Sequence, residues 1–198
     1  MAELGPQMTP KQQNTVVRRV YKCILFILTW TLSLLSFATV RGGPMIKWNR
    51  LLNPARVLVG IRSTRRFDAI RELASVIEGD DAVGDHKRFL ADLIRREQQG
   101  STGIGNGVAI PHVHEDYIHS QILAVGLSRE GIDFGGLDDT PVRIMVLFAS
   151  PRKHQKQYME LLAALSRLLQ TADVRDRLIE CTDAAEVIEV FSLNAQPV

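Results

Sequence analysis

The residues able to do chemistry crowd into one stretch, Gly100-Ser101-Thr102-Gly103-Ile104-Gly105-Asn106-Gly107-Val108-Ala109-Ile110-Pro111-His112. Four glycines among residues 100–107 let the backbone fold tightly and bring bare N–H groups against an anion, and Ser101 and Thr102 add hydroxyl donors. This is not a dinucleotide fingerprint. The glycines at 103, 105 and 107 lie between a predicted helix and a predicted strand, the reverse of the strand-loop-helix order that motif needs. No Gly-Lys-Ser/Thr is present, so there is no P-loop. The stretch ends in Pro111-His112. Proline lacks an N–H and fixes φ, which suits the end of an edge or terminal strand and sets the direction in which His112 leaves the sheet. An imidazole, with a reference pKa of about 6.5, is largely neutral at cytoplasmic pH and offers a nucleophilic lone pair without a general base. Phosphorylated on a ring nitrogen, it passes the phosphoryl group onward readily, as Ser and Thr esters do not.

Other polar clusters have simpler readings. His112 and His114 share one face of an extended segment, with Glu115, Asp116 and His119 following, which is also the composition of a metal site. Transfer from a phosphohistidine needs no ion and the carboxylates read as a solvated turn, so no metal and no cofactor is expected. Arg95 and Arg96 suit a helix C-terminus through the dipole, an account sufficient for Arg95 and weaker for Arg96. Arg152, Lys153, His154 and Lys156 are a solvated helix start or a rim facing an acidic partner, and the sequence does not choose.

The elements that must position these residues follow from periodicity. Val57, Leu58, Val59 and Ile61 form a short apolar stretch, and Phe67, Ile70, Leu73, Ala74 and Ile77 recur at helical spacing. Asp85 can cap a second helix whose stripe is Phe89, Leu90, Leu93 and Ile94, ending at Arg95, Arg96 and Glu97. Residues 108–110, 122–127 and 142–148 read as strands, the last two apolar on both faces and therefore central. A long helix is predicted over 154–169, with Tyr158 and the leucines after it as core. Asp183 with Glu186 makes a capping-box pattern for a last helix. The expected fold is a single α/β domain, a mixed sheet flanked by helices on both faces.

The 198 residues carry 24 Lys/Arg against 22 Asp/Glu, enough chain for one such domain. Residues 1–44 hold five Lys/Arg against one Asp/Glu, leaving a slightly acidic body with 19 against 21. No basic patch interleaves with aromatics, so nucleic acid is not expected as a partner. Cys23 and Cys181 lie in different kinds of segment, which argues against a disulfide framework and for a reducing compartment. Residues 23–40 are uncharged and strongly apolar, preceded by Arg18, Arg19 and Lys22, as in a signal peptide or an anchor. A third reading starts translation at Met45, since Arg41-Gly42-Gly43 can be encoded by a purine-rich ribosome-binding sequence. The expected division is residues 1–44, then a domain over 45–198.

Residues 100–112, set after Arg96-Glu97, resemble the signature of the phosphotransferase-system (PTS) enzyme IIA domains of the fructose/mannitol class, type 2, which includes the nitrogen-regulatory IIA proteins. The similarity runs from Leu51-Leu52-Asn53-Pro54 through the first helix, the loop, strand 142–148 and the closing helices. The resemblance implies that His112 accepts a phosphoryl group from the phosphocarrier HPr and that Arg96 helps hold it. A IIB component for sugar uptake, or a regulatory target protein, comes next. Ser101, Thr102, Gly103 and Asn106 are expected to bind the phosphate. Two positions depart from the family pattern. His114 stands where Lys or Arg is frequent, and Tyr158 stands where a second histidine is usual. His154, one helical turn before Tyr158, would share its face if the helix starts early enough. A cytoplasmic donor places the domain in the cytoplasm, so export is set last, behind a start at Met45 or an anchor at the inner face.

Overall fold

A computed structural model describes residues 46–194 of the chain, and the readings of the apolar run and of Met45 fall outside them. The chain divides into units Met1–Gly43 and Pro44–Val198, of which the second is described here.

Six strands form one mixed sheet: β1 (Val57–Val59), β2 (Gly103–Gly105), β3 (Val108–Ala109), β4 (His112–Glu115), β5 (Ile122–Ile132) and β6 (Val142–Pro151). Their order is β1-β5-β6-β3-β2, with β4 also paired to β6. β5 and β6 are antiparallel, as shown by Val125 opposite Val146, and form the buried centre, as the apolar runs 122–127 and 144–149 require. β1 adds parallel to β5. β3 and β4 both run parallel to β6, Val108 against Ile144 and His112 against Phe148. Pro111 therefore interrupts one strand rather than ending the sheet, and its carbonyl still accepts the Phe148 N–H at 2.9 Å. His112 does not leave the sheet; it opens β4.

Five helices cover the two faces: α1 (Arg66–Ser75), α2 (His86–Gln99), α3 (Gln155–Gln170), α4 (Ala172–Glu180) and α5 (Ala184–Leu193). On one face, Ile70 and Leu73 of α1 and Phe89 and Leu93 of α2 pack on Ala124, Met145 and Leu147. On the other, Leu165 and Leu168 of α3, Leu178 of α4 and Phe191 of α5 pack on Val125, Val146 and Phe148. Trp48, in a short turn before the sheet, meets Phe191 edge to face at 5.7 Å. Gly126 of β5 lies where a Cβ would come within 2.5 Å of Ile61 and 3.1 Å of Leu73, so the close seating of α1 on the sheet needs glycine there.

The caps follow the sequence, with one change. Asp85 accepts the Arg88 N–H at 3.0 Å, and Asp183 accepts that of Glu186 at 3.0 Å. The Glu186 carboxylate, however, takes the Thr182 N–H at 2.6 Å. α4 is not among the expected helices; only Val174 and Leu178 of it are buried, too few to give a periodic stripe.

Candidate functional site

His112 sits at the start of β4 on the face covered by α3, because its register partner Phe148 belongs to that core. Its Nδ1 lies 2.8 Å from the Ile110 carbonyl oxygen. A carbonyl can only accept, so Nδ1 carries the proton and the Nε2 lone pair is free. The ring pKa is lowered to about 4, chiefly by burial and in smaller part by the positive Arg96, against the opposing Ile110 carbonyl. At neutral pH the ring is therefore uncharged, with its proton on Nδ1 and Nε2 bare.

Arg96 stands in the last turn of α2, in the opposite helical layer. Its Nη1 donates to the Gly100 carbonyl at the end of its own helix at 3.0 Å. Its charge is felt at both His112 and Tyr158. Arg95 instead pairs with the buried Asp92, which also accepts from the Tyr117 hydroxyl at 2.9 Å. That network holds the β4–β5 turn against α2 and leaves Arg95 outside the site.

Tyr158, in the first turn of α3, has its ring centre 6.1 Å from that of His112 and stacks on His114 at 4.5 Å and on Phe148 at 5.6 Å. Burial raises its pKa and Arg96 opposes this, so the phenol keeps its proton. His114 pairs with Ser150 across β4 and β6, and both ring nitrogens and the Ser150 hydroxyl are buried without a hydrogen-bond partner. His154 ends the short 3-10 turn Arg152–His154 that leads into α3, whose regular turns begin only at Gln155.

His112, Arg96, Tyr158 and His114 thus come together, whereas the expected phosphate-binding loop does not open as expected. Its glycines build a hairpin, Gly103 against Ala109 and Gly105 against Val108, so close to the Gly136 Cα that a Cβ on Gly103 would stand at 3.0 Å. Both donors of Thr102 go to the Glu97 carboxylate, Oγ at 2.6 Å and N at 3.0 Å. The Gly103 N–H goes to the Ser101 Oγ at 3.2 Å, and the Ser101 hydroxyl makes a long bond to the Phe134 carbonyl at 3.5 Å. Asn106 is exposed at the hairpin tip with φ +53°, its N–H on Asp138 at 2.6 Å. Val108 and His112 face Ile144 and Phe148, four residues apart on β6, so at ~3.3 Å per residue Asn106, beyond Val108, stands more than roughly 13 Å along the sheet from His112. Thr102, Gly103 and Asn106 are thus structural parts of the hairpin, because their donors already have internal acceptors.

The family profile described as "Phosphoenolpyruvate-dependent sugar phosphotransferase system, EIIA 2" matches residues 50–194. The chain belongs to this family. It is 32% identical over 146 residues to a nitrogen regulatory protein of Pseudomonas aeruginosa, covering 74% of this chain and 95% of that one. It is 28% identical over 147 residues to the PTS system fructose-specific EIIABC component of Bacillus subtilis, covering 74% of this chain and only 23% of that much longer protein. Its fold matches that of enzyme IIAMtl in the Escherichia coli complex with phosphorylated enzyme IIBMtl, with a TM-score of 0.62 and 19% identity, over 71% of this chain and 96% of that one.

Within this EIIA 2 domain, Glu97, legible in sequence only as a helix end, and Arg66 stand behind the site. The Glu97 side chain is fully buried and lies 3.5 Å from the Arg66 guanidinium of α1. Desolvation raises its pKa, against the bonds from Thr102 and the charge of Arg66. Its spacing of four from Leu93, itself four from Phe89, puts a carboxylate in line with the apolar stripe, which is the signal that could have found it. An open cleft of about 520 Å³ near Thr64, Phe134 and Pro141 contains none of the candidate residues. Among the described residues no group of three His, Cys, Asp or Glu could hold a metal ion, and no helix is long and apolar enough to cross a membrane.

Proposed function

We propose that this EIIA 2 domain is a phosphohistidine carrier, with Nε2 of His112 as the accepting atom. The observation that carries the reading is the bond from His112 Nδ1 to the Ile110 carbonyl, which leaves a neutral ring with a bare Nε2 in the field of Arg96. As Nε2 forms a new bond to phosphorus, the P–N bond of an HPr-type phosphohistidine donor breaks and its electron pair returns to the donor ring. The proton stays on Nδ1, hydrogen-bonded to the Ile110 carbonyl, which steadies the positive charge that develops on the ring. Arg96 offsets the phosphoryl charge and the Tyr158 hydroxyl can donate to it, so catalysis is positioning and electrostatics. A IIB component is the next acceptor in this reading, supported by the phosphorylated partner in the E. coli mannitol complex. The working domain is residues 45–198, in the cytoplasm.

A second reading is favoured by the Pseudomonas aeruginosa relative, a nitrogen regulatory protein matched over 95% of its length. In that reading the phosphorylation state of His112 would change charge at a surface that binds a target protein, with little or no onward transfer to sugar.

Labelling tests both. Incubated with phosphorylated HPr-type donors, the wild type is expected to take an acid-labile label that His112→Ala abolishes. Label surviving that substitution removes His112 as nucleophile, and passage to a IIB domain separates transport from regulation.

A further inference from the structure

The buried carboxylate of Glu97 is not needed to touch phosphate, and a fully buried charge is costly unless it is paired and hydrogen-bonded. What it holds is a continuous line of bonds ending on the nucleophile. Glu97 accepts the Thr102 N–H at 3.0 and 3.1 Å and the Thr102 hydroxyl at 2.6 Å. The Thr102 carbonyl accepts the Ile110 N–H at 3.0 Å, and the Ile110 carbonyl accepts His112 Nδ1–H at 2.8 Å. Arg66, reaching from α1 to within 3.5 Å, supplies the opposite charge.

We propose that Glu97 is a positioning residue which, through Thr102 and Ile110, fixes the ring orientation and the Nδ1–H tautomer of His112. A neutral imidazole free in water prefers its proton on Nε2, the atom that must here be bare. The Nδ1–H form therefore needs an acceptor held in place, and Ile110 lies in the short link between β3 and Pro111 with Thr102 as its hydrogen-bonded neighbour. Glu97 follows Arg96 directly in α2. The turn of helix that carries the cationic group thereby also sets the direction of the lone pair, and the two are aligned by one peptide unit. This role rests on the carrier reading for its consequence, while the tautomer itself can be observed without any phosphoryl donor.

The test uses the full chain with ¹⁵N-labelled histidine, reading the His112 tautomer from two-bond ¹H–¹⁵N correlations, alongside labelling rates and thermal unfolding. Wild type is expected to show Nδ1–H alone. Glu97→Ala and Thr102→Val are expected to show mixed tautomers and labelling slowed about 10- to 100-fold. Thr102→Ser, which restores the hydroxyl, is expected to return both readouts. Should Glu97→Ala not fold, Thr102→Val decides alone, since it is close in shape and leaves the carboxylate in place. Folded variants that keep Nδ1–H and the wild-type rate, with only a lower unfolding temperature, overturn the proposal. If wild type takes no label from any donor but the tautomer still shifts in the variants, the carrier reading fails and the positioning role stands.

Discussion

Tyr158 lies flat over His114, the ring centres 4.5 Å apart and the planes 20° from parallel. With Phe148 also stacked against Tyr158, the phenol ties the first turn of α3 to both β4 and β6. The ring is thus a packing element, and only its hydroxyl is available to an anion.

Tyr158→Phe separates these roles. The stack remains, so stability measured by urea unfolding is expected to stay within about 0.5 kcal/mol of wild type. The labelling rate is expected to fall by roughly the value of one hydrogen bond, about 1 kcal/mol or some fivefold. Tyr158→Ala removes ring contacts as well and is expected to cost about 2 kcal/mol of stability.

Arg96→Ala is expected to slow labelling about 100-fold, the usual cost of removing one donor aimed at developing charge. Because Arg96 lowers the His112 pKa, the same variant should raise it, as read by NMR titration. An unchanged His112 titration would place the guanidinium elsewhere.

The depressed pKa of His112 makes a signed prediction. Between about 4 in the folded protein and ~6.5 in the unfolded chain, only the unfolded state binds the proton. Stability from this group is therefore complete above ~6.5 and is lost as pH falls through the window, by roughly 2–4 kcal/mol. Glu97, whose pKa is raised by burial, contributes with the opposite slope. The His112 part is isolated as the difference between wild type and His112→Gln, which should shrink in favour of the variant as the pH is lowered. A ring that titrates near 6.5 in the native protein would refute it.

Asn106→Gly is expected to leave labelling unchanged, since residue 106 is at the far tip of the β2–β3 hairpin with its N–H on Asp138. Stability should hold or rise by a few tenths of a kcal/mol, glycine being at ease at φ +53°.

Gly126→Ala forces a methyl group against Ile61 and Leu73 and is expected to cost about 1–3 kcal/mol, measurable by chemical unfolding.

The helices α1, α2, α3 and α5 are legible because each shows either a long apolar stripe or a side-chain cap, and Asp85 and Asp183 both act as read. The central strands are legible because burial on both faces leaves no polar alternation. α4 is hidden because two apolar residues carry no period. The continuation of the sheet past Pro111 is hidden too: a proline reads as a stop, and only the pairing of His112 with Phe148 shows that the neighbouring strand carries on beneath it. Residue type and motif single out His112, Arg96 and Tyr158, which the fold sets near one another. Thr102 is misread because a donor in a glycine-rich loop looks available until its acceptor is seen, and that acceptor, Glu97, comes from a different element.

Arg96 belongs to the helical layer on one side of the sheet and Tyr158 to the layer on the other. An anion gripped by both would act as a clip across the sandwich, fastening the two helical layers to each other as well as to the strands between them. Occupancy would then be readable from the melting temperature alone: ligand at 100 times its dissociation constant adds ~2.7 kcal/mol to cohesion. The nucleophile would sit at the one place where loading the protein and bracing it are the same event.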